Sequence, residues 1–494
     1  MTFEKAHSIY CIGIGGIGVS AIARYALMNG KQVAGSDSAG STITDMVASL
    51  GIDVAIGDKG LSDIPQECDL VVYSRAVPED HPLRQQATNR GIAQMSYPQV
   101  LGEIAQTHTT IAIAGAHGKS TTTALLGLVA HAAGLDPLVI VGTLVPAYEW
   151  RTNDDDGRRR SPAPVQGEGR GEVGGAKESE YVVGSNLLPG KGEYFIIEAC
   201  EFSGHFQTLA PDYLIITNID ADHLDFFKTQ ENIDSAFYEF AKKTKKKVIA
   251  CGDDVGCRRV LGDLKNIIWY GVEESGVETG LTLSLQIPGD HNVLNALGVI
   301  ATARELEIDD KIIKQVLESF TGTWRRFELV GYYTSPLRQL ADSPMLGEGG
   351  GIPSPLQGEG RVGYSIPVIS DYAHHPKEIT ATIQAAREKY PDKKIFVVFQ
   401  PHLRHRTIAL KQGFIESLVL ADKVIVCEIY DVAGREHGED ISSKQIVDAI
   451  PGAIYAKDVQ EAEQMIRDTI HQNDLLIIMG AGDIDDLARR IILL

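Results

Sequence analysis

The chain of 494 residues is 44% hydrophobic and 23% charged, a composition typical of globular domains. This length exceeds one ordinary hydrophobic core, so we expect two to four domains. The formal net charge of −20 argues against nonspecific nucleic-acid binding, which requires a basic surface.

Segment composition and cysteine usage both predict a cytoplasmic protein. No apolar run approaches the ~20 residues of a membrane helix, and we expect neither a signal peptide nor membrane attachment. The cysteines form no C-x-x-C pair, which favours reduced thiols over disulfides or a zinc site. They are Cys11, Cys68, Cys200, Cys251, Cys257 and Cys427.

The first block, residues 1–107, carries a glycine-rich loop between a predicted strand and a predicted helix. The apolar run Ser8–Ile12 predicts a buried strand, and the helical pattern after the loop extends to Met28. A strand at 32–35 then leads to Asp37, which is placed either to reach a ribose or to cap a helix. These features, with a strand at 69–74 and a helix at 83–89, predict a Rossmann-like sheet without identifying its nucleotide. The loop glycines are Gly13, Gly15, Gly16 and Gly18.

A second phosphate-binding pattern, TIAIAGAHGKSTTTAL, lies at 110–125. A strand-like run ends in a glycine turn, and Gly118-Lys119-Ser120 opens a predicted helix. Backbone N–H groups and the helix N-terminus attract phosphate, Lys119 adds a positive charge, and the Ser120 hydroxyl can ligate Mg²⁺. Ile113 stands where the usual pattern has its first glycine, so the motif is the shorter G-x-x-G-K-S. We predict nucleotide binding by Gly115, Ala116, His117, Gly118, Lys119, Ser120 and Thr121.

Acidic clusters follow two predicted strands of the central block. One strand leads to Glu198 and Glu201, and the next leads to Asp220, Asp222 and His223. Ligands of open α/β sheets bind at the carboxyl ends of the strands, and oxygen ligands suit Mg²⁺. We therefore predict a metal site that includes Ser120, Glu198 and His223, although solvated or capping side chains are the alternative.

The remaining motifs also lie at predicted element ends. A small-residue helix begins near Asn292, whose amide is placed to contact an adenine or to cap the helix. The third block, from 322, repeats the alternation of strands and helices, and its polar residues again follow the strands. Its motifs include Trp324-Arg325-Arg326-Phe327-Glu328, Asp371-Tyr372-Ala373-His374-His375-Pro376 and Gly480-Ala481-Gly482-Asp483.

The ordered motifs resemble those of the Mur ligases of peptidoglycan synthesis over essentially the whole chain. They are GIGGIG, GAHGKST, EACE, NIDADH, DHNVLNA, TWRRFE, DYAHHP, FQPH and GAGD. The resemblance implies an α/β protein of three domains: an N-terminal Rossmann-like domain for the UDP-sugar (1–107), a central ATP-binding domain with a mostly parallel sheet (108–321), and a C-terminal Rossmann-like domain (322–494).

The resemblance also implies roles for single residues. Asp371 matches an acid that faces ATP, and Leu403 stands where related ligases typically have Arg, with Arg404 next to it. The implied catalytic residues are Lys119, Arg326, His374 and His375; further ATP contacts are His291, Asn292 and Asn295. The implied substrate contacts are Gly13, Gly15, Gly16, Gly18, Asp37, Ser74 and Arg406.

Within the family, the motifs are most similar to members that join L-alanine to the lactyl carboxylate of UDP-N-acetylmuramate. That activity implies ATP, Mg²⁺ and an acyl-phosphate intermediate, in a monomer or weak homodimer. Three alternatives stay open: a ligase that attaches a recycled tripeptide to the same sugar nucleotide, a nicotinamide oxidoreductase, and a nucleotide-binding regulator without catalysis.

Two inserts interrupt the family pattern, at about 151–178 and 338–362. They share a repeated element, SPAPVQGEGR at 161–170 and SPLQGEGR at 354–361, with a partial third copy at 343–349. Such Pro/Gly-rich, charged sequence buries little apolar surface, so we predict mobile loops that are dispensable for catalysis. A lid or docking loop is the functional alternative.

Overall fold

The computed structural model describes residues 1–57, 64–145, 185–220, 224–272, 283–334, 365–431 and 441–493. Both predicted inserts, and the predicted metal ligand His223, lie outside the described residues. The chain forms two compact units, 1–324 and 325–494. Among these described residues, the first unit contains two sheets and the second contains one.

The first sheet is parallel, with strand order β3-β2-β1-β4-β5. The chain leaves β1 toward β2 on one side and returns to β4 on the other, so the loop after β1 lies where the strand order reverses. The strands are β1 (Ser8–Ile12), β2 (Gln32–Asp37), β3 (Asp53–Ile56), β4 (Leu70–Tyr73) and β5 (Ala93–Ser96). The helices are α1 (Ile17–Met28), α2 (Thr42–Ser49), α3 (Pro82–Asn89) and α4 (Tyr97–Gln106).

The second sheet has the order β12-β11-β10-β6-β9-β7-β8 and is parallel except for β8. Its strands are β6 (Thr109–Ala114), β7 (Leu138–Val145), β8 (Ser185–Pro189), β9 (Tyr194–Glu198), β10 (Tyr213–Ile216), β11 (Lys247–Cys251) and β12 (Ile267–Tyr270). Its helices are α5 (Lys119–Ala132), α6 (Leu224–Phe227), α7 (Gln230–Lys242), α8 (Val255–Leu261), α9 (Asp290–Glu305) and α10 (Asp310–Ser319), with a 3-10 helix at Phe202–Thr208. Central strand β6 lies between β9 and β10, so its loop and the acidic strand ends meet at one edge.

The third sheet, in the unit 325–494, has the order β13-β14-β18-β15-β16-β17, with β13 antiparallel to β14. Its strands are β13 (Glu328–Thr334), β14 (Ser365–Asp371), β15 (Lys394–Phe399), β16 (Lys423–Cys427), β17 (Ile454–Ala456) and β18 (Asp474–Met479). Its helices are α11 (Pro376–Lys389), α12 (Arg404–Leu418), α13 (Lys444–Val447), α14 (Val459–Thr469) and α15 (Asp485–Ile491). The predicted three-domain α/β fold with mostly parallel sheets is confirmed.

Burial explains why these segments form central strands. Parallel strands covered on both faces by helices require continuous apolar runs rather than alternating ones. Accordingly Leu475–Met479, most of β18, is almost wholly inaccessible to solvent. The same holds for the middle of β6 and of β15.

Candidate active site

The glycine-rich loop after β1 is held against the end of β2. Gly13 has a φ of +79°, and its N–H donates to the Ser36 carbonyl at 2.8 Å. The N–H of Gly15 donates to Oδ2 of Asp37 at 2.8 Å, and a Cβ at Gly15 would lie 2.9 Å from that oxygen. Asp37 therefore fixes the loop through Gly15, while its contact with a ribose stays a prediction.

Two neighbouring elements pack closely on this loop. The N–H of Ser74, after β4, donates to the Ile12 carbonyl at 3.1 Å. The Cβ of Ser74 lies 3.1 Å from the position that a Cβ at Gly13 would take. The ring of Tyr97, at the start of α4, lies over Gly18, with ring atoms 2.7 to 3.0 Å from the position of a Cβ. Glycine at 13 and 18 therefore lets both elements approach the loop.

The phosphate loop between β6 and α5 also depends on glycine at two positions. Gly115 has a φ of +139° and Gly118 a φ of +81°, which side chains rarely adopt. A Cβ at Gly115 would collide with Oγ1 of Thr217, and one at Gly118 would collide with Oδ1 of Asn295. Ser120 and Thr121 are buried in the first turn of α5. The loop is therefore enclosed by the ends of β10 and α9.

The predicted adenine-binding segment contacts this loop through its asparagines. Oδ1 of Asn295 accepts a hydrogen bond from Thr122 Oγ1 at 3.3 Å, and its Nδ2 donates to Oδ1 of Asn292 at 3.3 Å. Asn292 in turn donates to the Pro288 carbonyl at 2.7 Å. His291 is exposed in the first turn of α9. The structure thus brings the segment to the loop, and adenine contact stays a prediction.

Lys119 is held at the loop by an acid that follows the neighbouring strand β9. Its Nζ donates to the Gly115 carbonyl at 2.6 Å and to Oε1 of Glu201 at 3.1 Å. Burial by itself would lower the pKa of Lys119, but the negative charge of Glu201 and its neighbours outweighs burial and raises that pKa. These contacts favour the charged ammonium form of Lys119, and Glu201, 2% exposed, is its partner. Sequence reasoning noted the acidic cluster but missed this pairing, for which the second acid of EACE was the signal.

The donor chemistry near the loop fits Mg²⁺. The Glu198 carboxylate ends β9, and its Oε2 accepts the Gly142 N–H at 2.8 Å. A Cβ at Gly142 would lie 2.6 to 2.9 Å from the carboxyl atoms, so only glycine leaves room for them. The Ser120 hydroxyl at the loop is a second oxygen donor of the kind that Mg²⁺ prefers. Among the described residues, no group of three acids, histidines or cysteines is arranged to hold a metal.

In the unit 325–494, Asp371 is a buried carboxylate that accepts two backbone hydrogen bonds. The Phe327 N–H donates to Oδ2 at 2.7 Å, and the Ala373 N–H donates to Oδ1 at 2.7 Å. Burial raises the pKa of Asp371 to about 6, although Arg326 and the two hydrogen bonds oppose that shift. Left-handed backbone at Arg325 (φ +56°) and Phe327 (φ +50°) flanks Arg326. Asp371 therefore anchors the turn that presents Arg326, and its contact with ATP stays a prediction.

Both predicted catalytic histidines contact one carboxylate. The N–H groups of His374 and His375 donate to Oε2 of Glu378 at 3.0 and 3.2 Å. His375 is the N-cap of α11, and its Nδ1 accepts the Lys377 N–H at 3.3 Å. Nη1 of Arg326 lies 4.0 Å from Oε1 of Glu378. The structure thus groups Arg326, His374 and His375, and Glu378 is a residue that the sequence interpretation missed.

The remaining predicted substrate contact lies on α12. Arg406 is half-buried in the first turn of that helix. Leu403 is buried and has a φ of +69°. Its neighbour Arg404 forms an ion pair with Asp431, with Nε and Oδ2 2.6 Å apart. Arg404 therefore already has an acidic partner within its own domain.

Comparisons with known proteins extend these local findings to the whole chain. Three family models match, described as "Mur ligase family, catalytic domain" at 8–109, "Mur ligase middle domain" at 113–303 and "Mur ligase, glutamate ligase domain" at 360–482. The UDP-N-acetylmuramate–L-alanine ligase of Alkaliphilus metalliredigens is 36% identical, over 100% of this chain and 98% of its own. The chain belongs to the Mur ligase family. A second Mur ligase of the same name, from Caldanaerobacter subterraneus, is 32% identical over 99% of this chain and 97% of its own.

Solved Mur ligase structures share the fold. The UDP-N-acetylmuramate–alanine ligase of Thermotoga maritima has a TM-score of 0.74 and 27% identity, covering 98% of each chain. A murein peptide ligase from Psychrobacter arcticus has a TM-score of 0.65 over 99% of this chain and 98% of its own, but its 21% identity shows only the fold. The family assignment supports a ligase. It argues against two of the alternatives, the nicotinamide oxidoreductase and the non-catalytic regulator. Within the described residues, no helix combines the length and apolarity needed to cross a bilayer.

Proposed function

We propose that this Mur ligase uses ATP to join L-alanine to the lactyl carboxylate of UDP-N-acetylmuramate, in cytoplasmic peptidoglycan precursor synthesis. The observation that carries the proposal is the full-length similarity to ligases named for this reaction, at 30–36% identity. The site geometry supports it, because the glycine loop of the first sheet and the Lys119–Glu201 phosphate loop of the second are two separate loops, each of a kind that binds nucleotides.

The reaction must first activate a carboxylate, which is a poor acyl donor. A lactyl oxygen of the sugar nucleotide attacks the γ-phosphorus of ATP, so the bond to the β–γ bridging oxygen breaks and ADP leaves. Because both reactants are anions, the positive charge of Lys119 lowers their repulsion and stabilises the transferring phosphoryl group. The resemblance to the family implies the same role for Arg326. The product of this step is an acyl phosphate.

The second step forms the amide. The amine of L-alanine attacks the acyl carbon, the tetrahedral intermediate loses phosphate, and the nitrogen loses a proton. We assign His374 to position this amine or accept its proton. Nδ1 of His374 faces two acceptors, the Tyr372 carbonyl at 3.1 Å and Oε2 of Glu378 at 3.3 Å, so it carries the ring proton and Nε2 is the basic nitrogen. Nδ1 of His375 instead accepts the Lys377 N–H, so the proton of a neutral His375 ring is on Nε2. His375 then serves mainly to begin α11.

Mg²⁺ would be held by Ser120 and Glu198, with His223 as the further ligand that the resemblance implies. When bound, it supplies charge neutralisation on the phosphate oxygens. We expect Glu198→Ala to raise the Mg²⁺ concentration for half-maximal activity. An unaltered Mg²⁺ titration would assign Glu198 to the structural contact with Gly142 alone.

The decisive experiment measures ADP release with ATP, Mg²⁺ and UDP-N-acetylmuramate across L-alanine, glycine, L-serine and the murein tripeptide. We expect turnover to require all components, with the highest kcat/KM for L-alanine. UDP-N-acetylglucosamine, which lacks the lactyl carboxylate, is the matched negative control. Preference for the tripeptide would identify a recycling ligase instead, and no ADP with any acceptor would reject the ligase proposal. Gel filtration tests the proposed monomer or weak homodimer.

A further inference from the structure

We propose that Glu378 is a positioning residue, whose negative charge orients Arg326 and His374 for the ligase reaction. The inference rests on the proposed function, in which both of those side chains take part. Glu378 lies in the first turn of α11, and its own role is to hold groups that contact the reactants rather than to contact them itself.

One part of what Glu378 does is ordinary helix capping. Its Oε2 accepts the N–H groups of His374 and His375 at 3.0 and 3.2 Å, and with His375 it forms a capping box at the start of α11. A capping box accepts either Glu or Gln at this position, because only an oxygen acceptor is needed. The capping hydrogen bonds therefore need no negative charge, and the helix dipole, which favours one, acts equally on Glu461 in the first turn of α14.

Glu378 also contacts two side chains, and these contacts are stronger with a charged carboxylate than with a neutral amide. Oε1 lies 4.0 Å from Nη1 of Arg326, and Oε2 lies 3.3 Å from Nδ1 of His374. The side chains of Glu378 and His374 are each only 15% exposed, so water screens their interaction weakly. A single carboxylate thus links a cationic side chain and an imidazole that come from different elements.

An aromatic ring contacts the same two side chains. The guanidinium carbon of Arg326 lies 4.9 Å from the ring centroid of Tyr372, and the His374 ring makes a T-shaped contact with Tyr372 at 5.2 Å. The ring supplies packing, whereas Glu378 supplies attraction. Without that attraction, Arg326, whose side chain is 31% exposed, has more freedom to rotate toward solvent.

The test is Glu378→Gln, which keeps the capping oxygen and removes the charge. The matched control is Glu461→Gln on α14 of the same unit, where Oε2 accepts the Lys457 N–H at 2.6 Å at a helix start remote from the histidines in sequence. We expect Glu378→Gln to lower kcat by about 10- to 100-fold, since displacement of reacting groups by about 1 Å costs this much. We expect the KM for UDP-N-acetylmuramate and the melting temperature to stay close to wild type, and Glu461→Gln to keep full activity.

Double-mutant cycles separate positioning from a general structural effect. If Glu378 acts through Arg326 or His374, its loss costs less when Arg326→Gln or His374→Ala is already present. If the losses of kcat multiply in both cycles, Glu378 acts independently of both side chains and the proposal is overturned. A Glu378→Gln kcat within twofold of wild type would also overturn it.

A substrate-free crystal structure of Glu378→Gln tests the geometry independently of the substrates. We expect an intact start of α11 with the Arg326 guanidinium displaced by about 1 Å or more. An unmoved guanidinium and imidazole would reject the inference. If the wild-type chain fails to turn over the proposed substrates, the proposed function fails, and this structural comparison still decides the inference.

Discussion

At the scale of single residues, Lys119 shows how the site keeps a cationic side chain in an acidic protein. Its ammonium contacts two loop carbonyls and Glu201 within a buried environment. A buried lysine without an acidic partner tends to lose its proton, whereas this pairing favours the charged form. The loop therefore keeps a localised cation although the whole chain has a formal net charge of −20.

Replacing Lys119 by Ala is expected to lower kcat by on the order of 10²-fold or more, because a charge that stabilises phosphoryl transfer is lost. UDP-sugar binding should be nearly unchanged, since the glycine loop lies in the other sheet of the unit. Turnover assays and calorimetry measure the two effects. Lys245→Ala is the control, because its half-exposed side chain forms an ion pair with Asp212 at the amino-terminal end of β10, the end opposite the phosphate loop. A loss of UDP-sugar affinity as large as the loss of turnover in Lys119→Ala would contradict the assignment of separate sites.

Asp371 predicts a pH dependence of local stability. Its folded pKa of about 6 exceeds the ordinary value of 3.8, so the folded state binds the proton more tightly than the unfolded state. Stability from this group is therefore greatest at low pH and declines as pH rises from about 4 to about 6, by on the order of 3 kcal/mol.

We expect Asp371→Asn to remove most of this decline. Hydrogen exchange of the β14 amides from pH 4 to 7 gives the opening free energy of wild type and variant. Only the difference between the two profiles belongs to Asp371, because other groups titrate in the same range. Parallel profiles would show that burial does not perturb this carboxyl.

At the scale of elements, each insert lies between the paired ends of two neighbouring strands. Val145 of β7 pairs with Ser185 of β8, and Thr334 of β13 pairs with Ser365 of β14, each pair antiparallel. In both cases the strands on either side are already adjacent, so a short connection can join them. The insertions therefore fall in the connections of two hairpins, and the hydrogen-bonded pairing of the flanking strands is kept.

Excising 152–178 and 338–362, with short Gly/Ser closures, is expected to leave ligase activity within several-fold of wild type. Loop-closure entropy changes slowly with length, so the shorter connections alter stability little. Steady-state kinetics and thermal melts of each single deletion measure this, and limited proteolysis should cut the intact chain first at these segments. A folded deletion variant that binds ATP normally but has no turnover would assign an insert to the mechanism.

At the scale of the whole molecule, the hydrophobic cores follow the two compact units. One cluster extends from Phe3 to Phe320 and includes strands of both the first and second sheets. Two other clusters belong entirely to residues after 325 and cover the two faces of the third sheet. Because the first two sheets share a core, we expect them to unfold together, although the family pattern divides them at about 107.

Calorimetry of the full chain should therefore resolve two unfolding transitions rather than three. A saturating UDP-sugar should raise the transition of the unit 1–324, because a ligand that binds only the folded state stabilises it. The transition whose temperature the ligand does not change should have the same melting temperature as an isolated 325–494 fragment. Three resolved transitions would show that the first and second sheets are independent in stability.

The sequence by itself determined the elements and the chemistry at their ends. The strand Ser8–Ile12 and the helix that ends at Met28 were predicted within their observed bounds. The phosphate loop was also recognised from its residues, because apolar runs and glycine turns are local features that need no distant partner. The ordered motifs then predicted the family and the class of reaction.

The tertiary structure decided which strand ends became neighbours. Glu201 meets Lys119 across 82 residues, and the Asp371 carboxylate receives the N–H of Phe327, 44 residues away. No periodicity along the chain specifies such pairs, because they depend on strand order and on the burial that the packed sheets create. Burial also set the raised pKa of Asp371, which a carboxyl at an exposed strand end would not have.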